Sequence, residues 1–379
     1  MTVDVLNKVK DEILVSTSIE VQTIRLATNT FEDYLNLGQT PADIEVRQAQ
    51  LNTLDTHCRQ LNISYVALGP SSTTYSTLKI IPQIIRTTNS SASTIFSASA
   101  NVPFAEVSAA RAVAETVKDL ATVEKGMGNF NFCSVSCVSP YVPFFPAACA
   151  PRKSQLSESE MKRIRFAIGL ENGKLAATLL KKTGSIQHVH RTFLDGLSLA
   201  YSPIVVACEK VASLTNSEYI GLDSSLNPSL EAHGSVAQAL EQLDELTTFG
   251  GNGSLAVASA VTTALQSLPI KLTGYCGLML PVCEDNRLSE LAAFETSKVS
   301  ITNLLSISSC CGVGVDTVPV EGDVGVESLT SLILDVAGLA GRWNKPLSCR
   351  VFPVSGKKVG DMTTFEEGGW LCNTRVFDC

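Results

Sequence analysis

The sequence predicts an α/β protein with helices covering both faces of its sheet. Three observations carry that expectation. Short runs rich in β-branched and aromatic residues alternate with longer segments that repeat apolar residues at helical spacing. Charged residues make up only 17% of the 379 positions and hydrophobic ones 45%, so an unusually large share of the chain is expected to be buried. The mean hydropathy is +0.18, yet the longest apolar runs, SPIVVAC (202–208) and SLILDVAGLA (331–340), are too short and too interrupted to span a bilayer.

Taken in order, VQTIRLAT (21–28) reads as a strand, ADIEVRQAQLNTLDTHCRQL (42–61) as an amphipathic helix, and ISYVALG (63–69) as a second strand. FAEVSAARAVAETVKDLATV (104–123) is a further helix. The proline-rich SPYVPFFPAACAPRKSQLSE (139–158) reads as an irregular connection or a long functional loop. Ser157 with Glu160, and Ser235 with Gln238, have the spacing of capping boxes and mark helix starts. RIRFAIGL (163–170), EYIGLDS (218–224), KLTGYCGLML (271–280) and LSCRVFPV (347–354) supply more strands, and helices are expected at 203–215, 254–268, 286–297 and 327–342. No internal repeat divides the chain.

Charge and cysteine usage narrow the function. A net charge of −8 and a pI near 5.2, with no cluster of Lys and Arg, argue against a nucleic-acid partner. The N-terminus, MTVDVLNKVKDEI, carries acids and lacks the apolar core of a signal peptide. Twelve cysteines are scattered through a large chain, which suits reduced thiols in the cytoplasm. Cys133 and Cys137 are spaced CxxxC, but no second pair stands at zinc-finger spacing. The low charge also predicts a subunit interface, so a homo-oligomer with a small-molecule ligand and no membrane partner is expected.

Five stretches carry candidate chemistry. In TFGGNGSLAVASAV (248–261) the amides of Gly250 and Gly251 either form an anion site before a helix or merely lead into it, with Asn252 or Ser254 as cap. GYCGLMLPVCEDNRLSELA (274–292) presents Glu284 and Asp285 after a buried run, where α/β proteins bind ligands; capping explains one of the two acids. LSCRVFPVSGKKVGDMTTF (347–365) offers Arg350 in a strand, then Lys357, Lys358 and Asp361 around a glycine turn suited to a carboxylate or phosphate. SSCCGVGVDTVPVEGD (308–323) reads as an apolar, glycine-rich loop or tight turn in which Cys310 and Cys311, either inertly packed or nucleophilic, precede Asp316 and Asp323. Those acids either hold turns or bind a divalent cation or substrate. His188 and His190 share a face if their segment is extended, as metal ligands or as exposed positions.

The chain resembles the family called domain of unknown function 711. The likeness rests on FAIGLENG (166–173), YIGLDSSLNPSL (219–230), the long block 249–285, CGVGVDTVPVEGDV (311–324) and RVFPVSGKKVGDMTTF (350–365). It implies one domain, 1–379, similar to the ten-stranded α/β barrel of pyruvate formate-lyase-like glycyl radical enzymes, with an interior site reached by a loop. Those enzymes carry an R-V-S-G-Y glycine loop; RVFPVSGKK has neither the tyrosine nor the spacing, so radical chemistry is not expected. Cys311 matches the block CGxGxDTVPxxGD, whereas Cys310 is a local addition and His188 and His190 fall outside the blocks.

The resulting expectation is a non-radical enzyme, of lyase or isomerase type, acting on a small anionic metabolite in a buried site. Arg25, Arg350, Lys357, Lys358 and Asp361, with the amides of Gly250 and Gly251, are expected to bind the ligand. Glu284, Asp285, Asp316 and Cys311 are the catalytic candidates, and Asp316 and Asp323 the candidates for a divalent cation. The rival expectation is a non-catalytic, oligomeric metabolite-binding or regulatory protein using the same pocket.

Overall fold

Eight strands are found among the described residues: β1 (Arg25–Ala27), β2 (Tyr65–Ser71), β3 (Ile95–Asn101), β4 (Phe132–Ser136), β5 (Arg165–Ile168), β6 (Glu218–Leu222), β7 (Gly314–Glu321) and β8 (Leu347–Val354). Six of them form one mixed sheet in the order β1-β2-β3-β4-β8-β7, and β5 and β6 pair separately. The structure is a computed structural model that describes residues 2–72, 75–91, 94–139, 141–365 and 369–379. Neighbours in the large sheet are parallel except β4 and β8, which run antiparallel. The expected α/β class therefore stands. The ten strands of a closed barrel are not seen as such among the described residues.

Burial explains why these segments form strands. β2, β4, β7 and β8 are buried along nearly their whole length, as expected where helices cover a parallel sheet. Val107–Leu120 and Val326–Trp343 pack on each other, and the latter packs on β8 and β4. Their buried faces, including Val113, Val117, Leu329, Ile333 and Val336, recur every three or four residues. Gly314 must be glycine: its φ is +109°, and an added Cβ would lie 2.0 Å from the Ser348 carbonyl oxygen.

Several expectations change. The run 308–323 is not a glycine turn; it is the end of the helix Ile301–Cys311, a Gly312 cap and then β7. The run 271–280 contains no strand, but makes isolated parallel bridges at Leu272 to Leu222 and Leu278 to Leu226, followed by Pro281 to Asp316. His188 and His190 lie on a helix, Ile186–Thr215, that begins well before the expected 203. That helix carries Pro203 in its interior, and proline in a sequence marks a helix start more often than a helix middle. By length and composition it could cross a membrane; here Val189, Phe193, Leu197 and Tyr201 are buried and it packs on Thr2–Thr17 and Ser254–Gln266. Both capping serines are confirmed: Ser157 and Ser235 accept from the amides of Glu160 and Gln238.

Candidate active site

A bulge in β7 organises the site. The β7–β8 register slips between Val315 and Val318, and Thr317 adopts φ +45°, a left-handed conformation that a β-branched residue rarely takes. The slip makes room for a second chain segment. The Val282 amide donates to the Asp316 carbonyl at 3.0 Å, and the Cys283 amide donates to Thr317 Oγ1 at 3.2 Å. The chain after Pro281 is thereby pinned to the bulge, and Glu284 is held beside β8.

Arg350, on β8, joins the two acids. Its Nε donates to Asp316 at 2.6 Å and its Nη2 to Glu284 at 2.6 Å. Its Nη1 reaches the Phe130 carbonyl at 3.2 Å, and its guanidinium lies 5.1 Å from the centre of the Phe130 ring. All three charged groups line one cleft of about 1220 Å³. The Arg350 side chain is 8% exposed and that of Glu284 29%, and the open part of Glu284 faces the cleft. Burial pushes the Glu284 carboxyl up to about 7; Arg350 opposes this and Asp316 reinforces it. One guanidinium cannot balance two nearby carboxylates, so the charge of Asp316 adds to the effect of burial at Glu284.

Arg25, on β1, faces the same cleft from the other end of the large sheet. Its guanidinium lies 4.8 Å from the Tyr65 ring centre and 5.4 Å from that of Phe145, and its Nε donates to Thr23 at 3.0 Å. Burial lowers its basicity, while Tyr65, Glu171 and Glu284 act to raise it. The cleft is also lined by Arg163 and Arg165 of the second sheet. Both pair with Glu218, at 3.8 and 3.1 Å, and Arg165 also lies 4.0 Å from Glu160, so two carboxylates stand against these two guanidiniums.

The other expected site residues lie elsewhere. Asp285 is a capping residue: it accepts from Ser235 Oγ (2.5 Å) and from the amides of Val236, Ala237 and Leu288. It fastens the starts of Val236–Leu240 and Asn286–Ala293 together, and no lone pair is left facing the cleft. The chain turns at 282–284, where the Glu284 amide donates to the Pro281 carbonyl at 3.0 Å, and this turn is how one acid of the pair reaches the cleft and the other the helix starts. Cys311 is fully buried at its helix end, near the Leu278 carbonyl, and burial pushes its thiol up to about 11. That is the setting of an inert thiol.

Lys358 pairs on the surface with Asp323 and Glu321, and its amide donates to Asp361 at 2.8 Å. Lys357 is half-buried in the same turn, its carbonyl accepting from Gly322. The Gly250 amide donates to Ser254 Oγ and the Gly251 amide to the Thr248 carbonyl, so neither is available to an anion. None of these residues lines the cleft. Among the described residues no group of three or more His, Cys, Asp and Glu could hold a metal ion; Asp316 is paired with Arg350, and Asp323 sits apart with Lys358. His190 bonds Ser267 Oγ at 3.0 Å, and it and His188 are exposed.

Tyr65, Phe130, Phe145 and Ser97 belong to the cleft and were not foreseen. The available signal was positional: Tyr65 falls on β2 beside β1, in register with Arg25, and Ser97 falls on β3, the next strand over, two residues beyond that register.

A UPF0210 protein of Methanopyrus kandleri is 32% identical over 173 residues, which is 45% of this chain and 37% of that protein. A UPF0210 protein of Limosilactobacillus reuteri is 32% identical over 154 residues, 40% of this chain and 33% of its own length. One from Listeria monocytogenes is 33% identical with the same two shares. The chain thus spans between 33% and 37% of the length of these curated relatives. The family model described as Uncharacterised ACR (DUF711) matches residues 2–366, nearly the whole sequence, and the chain belongs to that family.

Proposed function

We propose that the chain is a non-radical enzyme of isomerase or lyase type, holding a small anionic metabolite in the cleft and using Glu284 as its acid–base group. The observation that carries this reading is the pairing of one buried guanidinium, Arg350, with two carboxylates at the wall of a largely apolar cleft. A carboxyl that titrates near neutrality is suited to exchange a proton with a substrate. As the base, Glu284 takes a proton from a substrate carbon; once protonated, it returns that proton to a neighbouring atom or to a departing group. The shift balances without an oxidant or other co-reactant. Arg350 and Asp316 are positioning residues in this scheme, and Arg25 supplies the charge that orients the anion.

The barrel implied by the family resemblance belongs to the same proposal. Its support is the run 272–281, whose parallel bridges reach Leu222 and Leu226 on one side and Asp316 on the other. On this reading the run stands between β6 and β7 and closes much of the gap between the two sheets, so that the cleft is a barrel interior.

Turnover is the test. Purified wild-type protein and Glu284→Gln are incubated with a metabolite extract and the small molecules are compared before and after. The proposal expects the wild type to deplete one metabolite while forming an isomer or elimination product, and the folded variant to leave it unchanged. A metabolite bound but never consumed would favour a non-catalytic binding protein.

A further inference from the structure

We infer that the ligand of this cleft is a monocarboxylate, docked through its carboxylate on the outer edge of Arg25. The inference rests on the reading of the cleft as a substrate site and adds the chemical class that the site accepts. Of the four arginines lining the cleft, three have carboxylate partners: Arg350 has Asp316 and Glu284, and Arg163 and Arg165 have Glu218. Among the described residues, no carboxylate comes within ion-pair reach of Arg25, and its Nη1 and Nη2 have no hydrogen-bond partner. The Tyr65 and Phe145 rings fix the guanidinium without using its N–H groups, and Thr23 takes only Nε. What is left is a planar pair of donors on a residue that lines the cleft and is open to solvent, the complement of a planar carboxylate.

Charge and surroundings favour a carboxylate over a phosphate. The described lining contains no lysine and no histidine, so Arg25 is the one unpaired cation there. A phosphate monoester would bring roughly −1.5 to −2 charges to it, whereas a monocarboxylate brings one. The neighbouring walls, which include Ile95, Phe144, Phe145 and Met279, suit a short carbon skeleton. A second polar point is already built. Ser97 is 3% exposed and lines the cleft, and its Oγ has no hydrogen-bond partner. A buried hydroxyl left unpaired costs about 1–3 kcal/mol, and a ligand oxygen or a bound water removes that cost. Arg25 aligns with Tyr65, which aligns with Ile95, two residues before Ser97. The two Cα atoms are therefore about 12 Å apart by strand spacing and rise, a gap that the long arginine side chain and a small acid span together.

The test titrates the wild type, Arg25→Gln, Arg25→Lys and Glu284→Gln with propionate, propionamide and inorganic phosphate at constant ionic strength, followed by NMR shifts of the protein. Propionate is expected to bind the wild type, and Glu284→Gln at least as tightly, because that change removes a negative charge from the same cleft. Arg25→Gln should lose roughly tenfold to a hundredfold in propionate affinity, with a smaller loss in Arg25→Lys, which keeps the charge without the fork. Propionamide and phosphate should bind more weakly than propionate. Equal propionate binding by a folded Arg25→Gln, or phosphate or propionamide binding as tightly as propionate, overturns the inference. None of these outcomes depends on turnover, so they leave the acid–base role of Glu284 to its own experiment.

Discussion

Strands β7 and β8 carry two clusters of opposite charge, alike in composition and unlike in consequence. Arg350 and Asp316 lie on the strand bodies, facing the cleft with Glu284 of a neighbouring turn, and the arginine is almost wholly removed from water. Lys358 with Asp323, Glu321 and Asp361 lies on the turns at the strand ends, where Lys358 and Asp323 are both more than half exposed. Water screens the second cluster, and long mobile side chains lose entropy in forming it, so it contributes little. In the first, desolvation makes each charge dependent on the others. Paired opposite charges thus mark a reactive centre or an ordinary surface according to what covers them.

The largest expected difference between the clusters comes from removing the shared cation. Arg350→Met leaves two carboxylates facing each other without a partner, and chemical denaturation at pH 7.5 should show a loss of about 3–5 kcal/mol. A loss no greater than that of a surface substitution would mean that the cleft is wet enough to make the pairing unimportant.

The next effect is a change in pH dependence. The folded-state pKa of Glu284 lies above the ordinary glutamate value of 4.5, near 7, so the folded protein binds its proton more tightly than the unfolded chain. Stability from this group is full below about 4.5 and is lost as pH rises towards 7. Glu284→Gln should lack that decline, so that its stability relative to wild type improves by about 1–3 kcal/mol across the window, the lower part of the range applying if cleft water reaches the carboxyl. Catalysis should show the opposite slope: with Glu284 as base, wild-type turnover rises through the same pH range. A stability difference that is flat with pH would sink the assignment of the raised group.

Cys311 supplies a smaller effect. Cys311→Ala removes a buried sulfur from the core and should cost about 1–2 kcal/mol without altering turnover or propionate binding. In the native protein its thiol should resist thiol reagents until denaturant is added. The smallest effect belongs to the surface cluster, where Lys358→Ala is expected to leave the denaturation midpoint unchanged within error, at low and at high salt.

Much of the site was legible as residue types and little of it as geometry. Arg25, Glu284, Asp316 and Arg350 all stand out as charges within apolar runs, and the structure brings them to one cleft. Asp285, adjacent to Glu284, looks equivalent in the sequence, but the backbone turns it to two helix starts. Lys357, Lys358 and the Gly250–Gly251 amides match an anion-binding pattern as well as Arg25 does. What separates them is that the amides are used by Ser254 and Thr248 and the lysines sit on an outer turn. The fold shows the same limit. LSCRVFPV coincides with β8, while the serine- and alanine-rich β3 (IFSASAN) has little strand propensity to reveal it. β7 was hidden by glycine, aspartate and proline residues that mark turns elsewhere.

By itself the amino-acid order determined the α/β class, the capping serines, the buried stripes of the major helices and the short roster of charges set among hydrocarbon, because all of these depend on neighbours within a few positions. Only the tertiary structure decided which charges meet. Arg350 reaches Asp316 through strand register and Glu284 through a bulge at Thr317, and among the described residues Arg25 is left without a carboxylate. Those outcomes follow from packing between segments 34 to 66 residues apart, where a slip of one residue along a strand would turn each side chain to the opposite face.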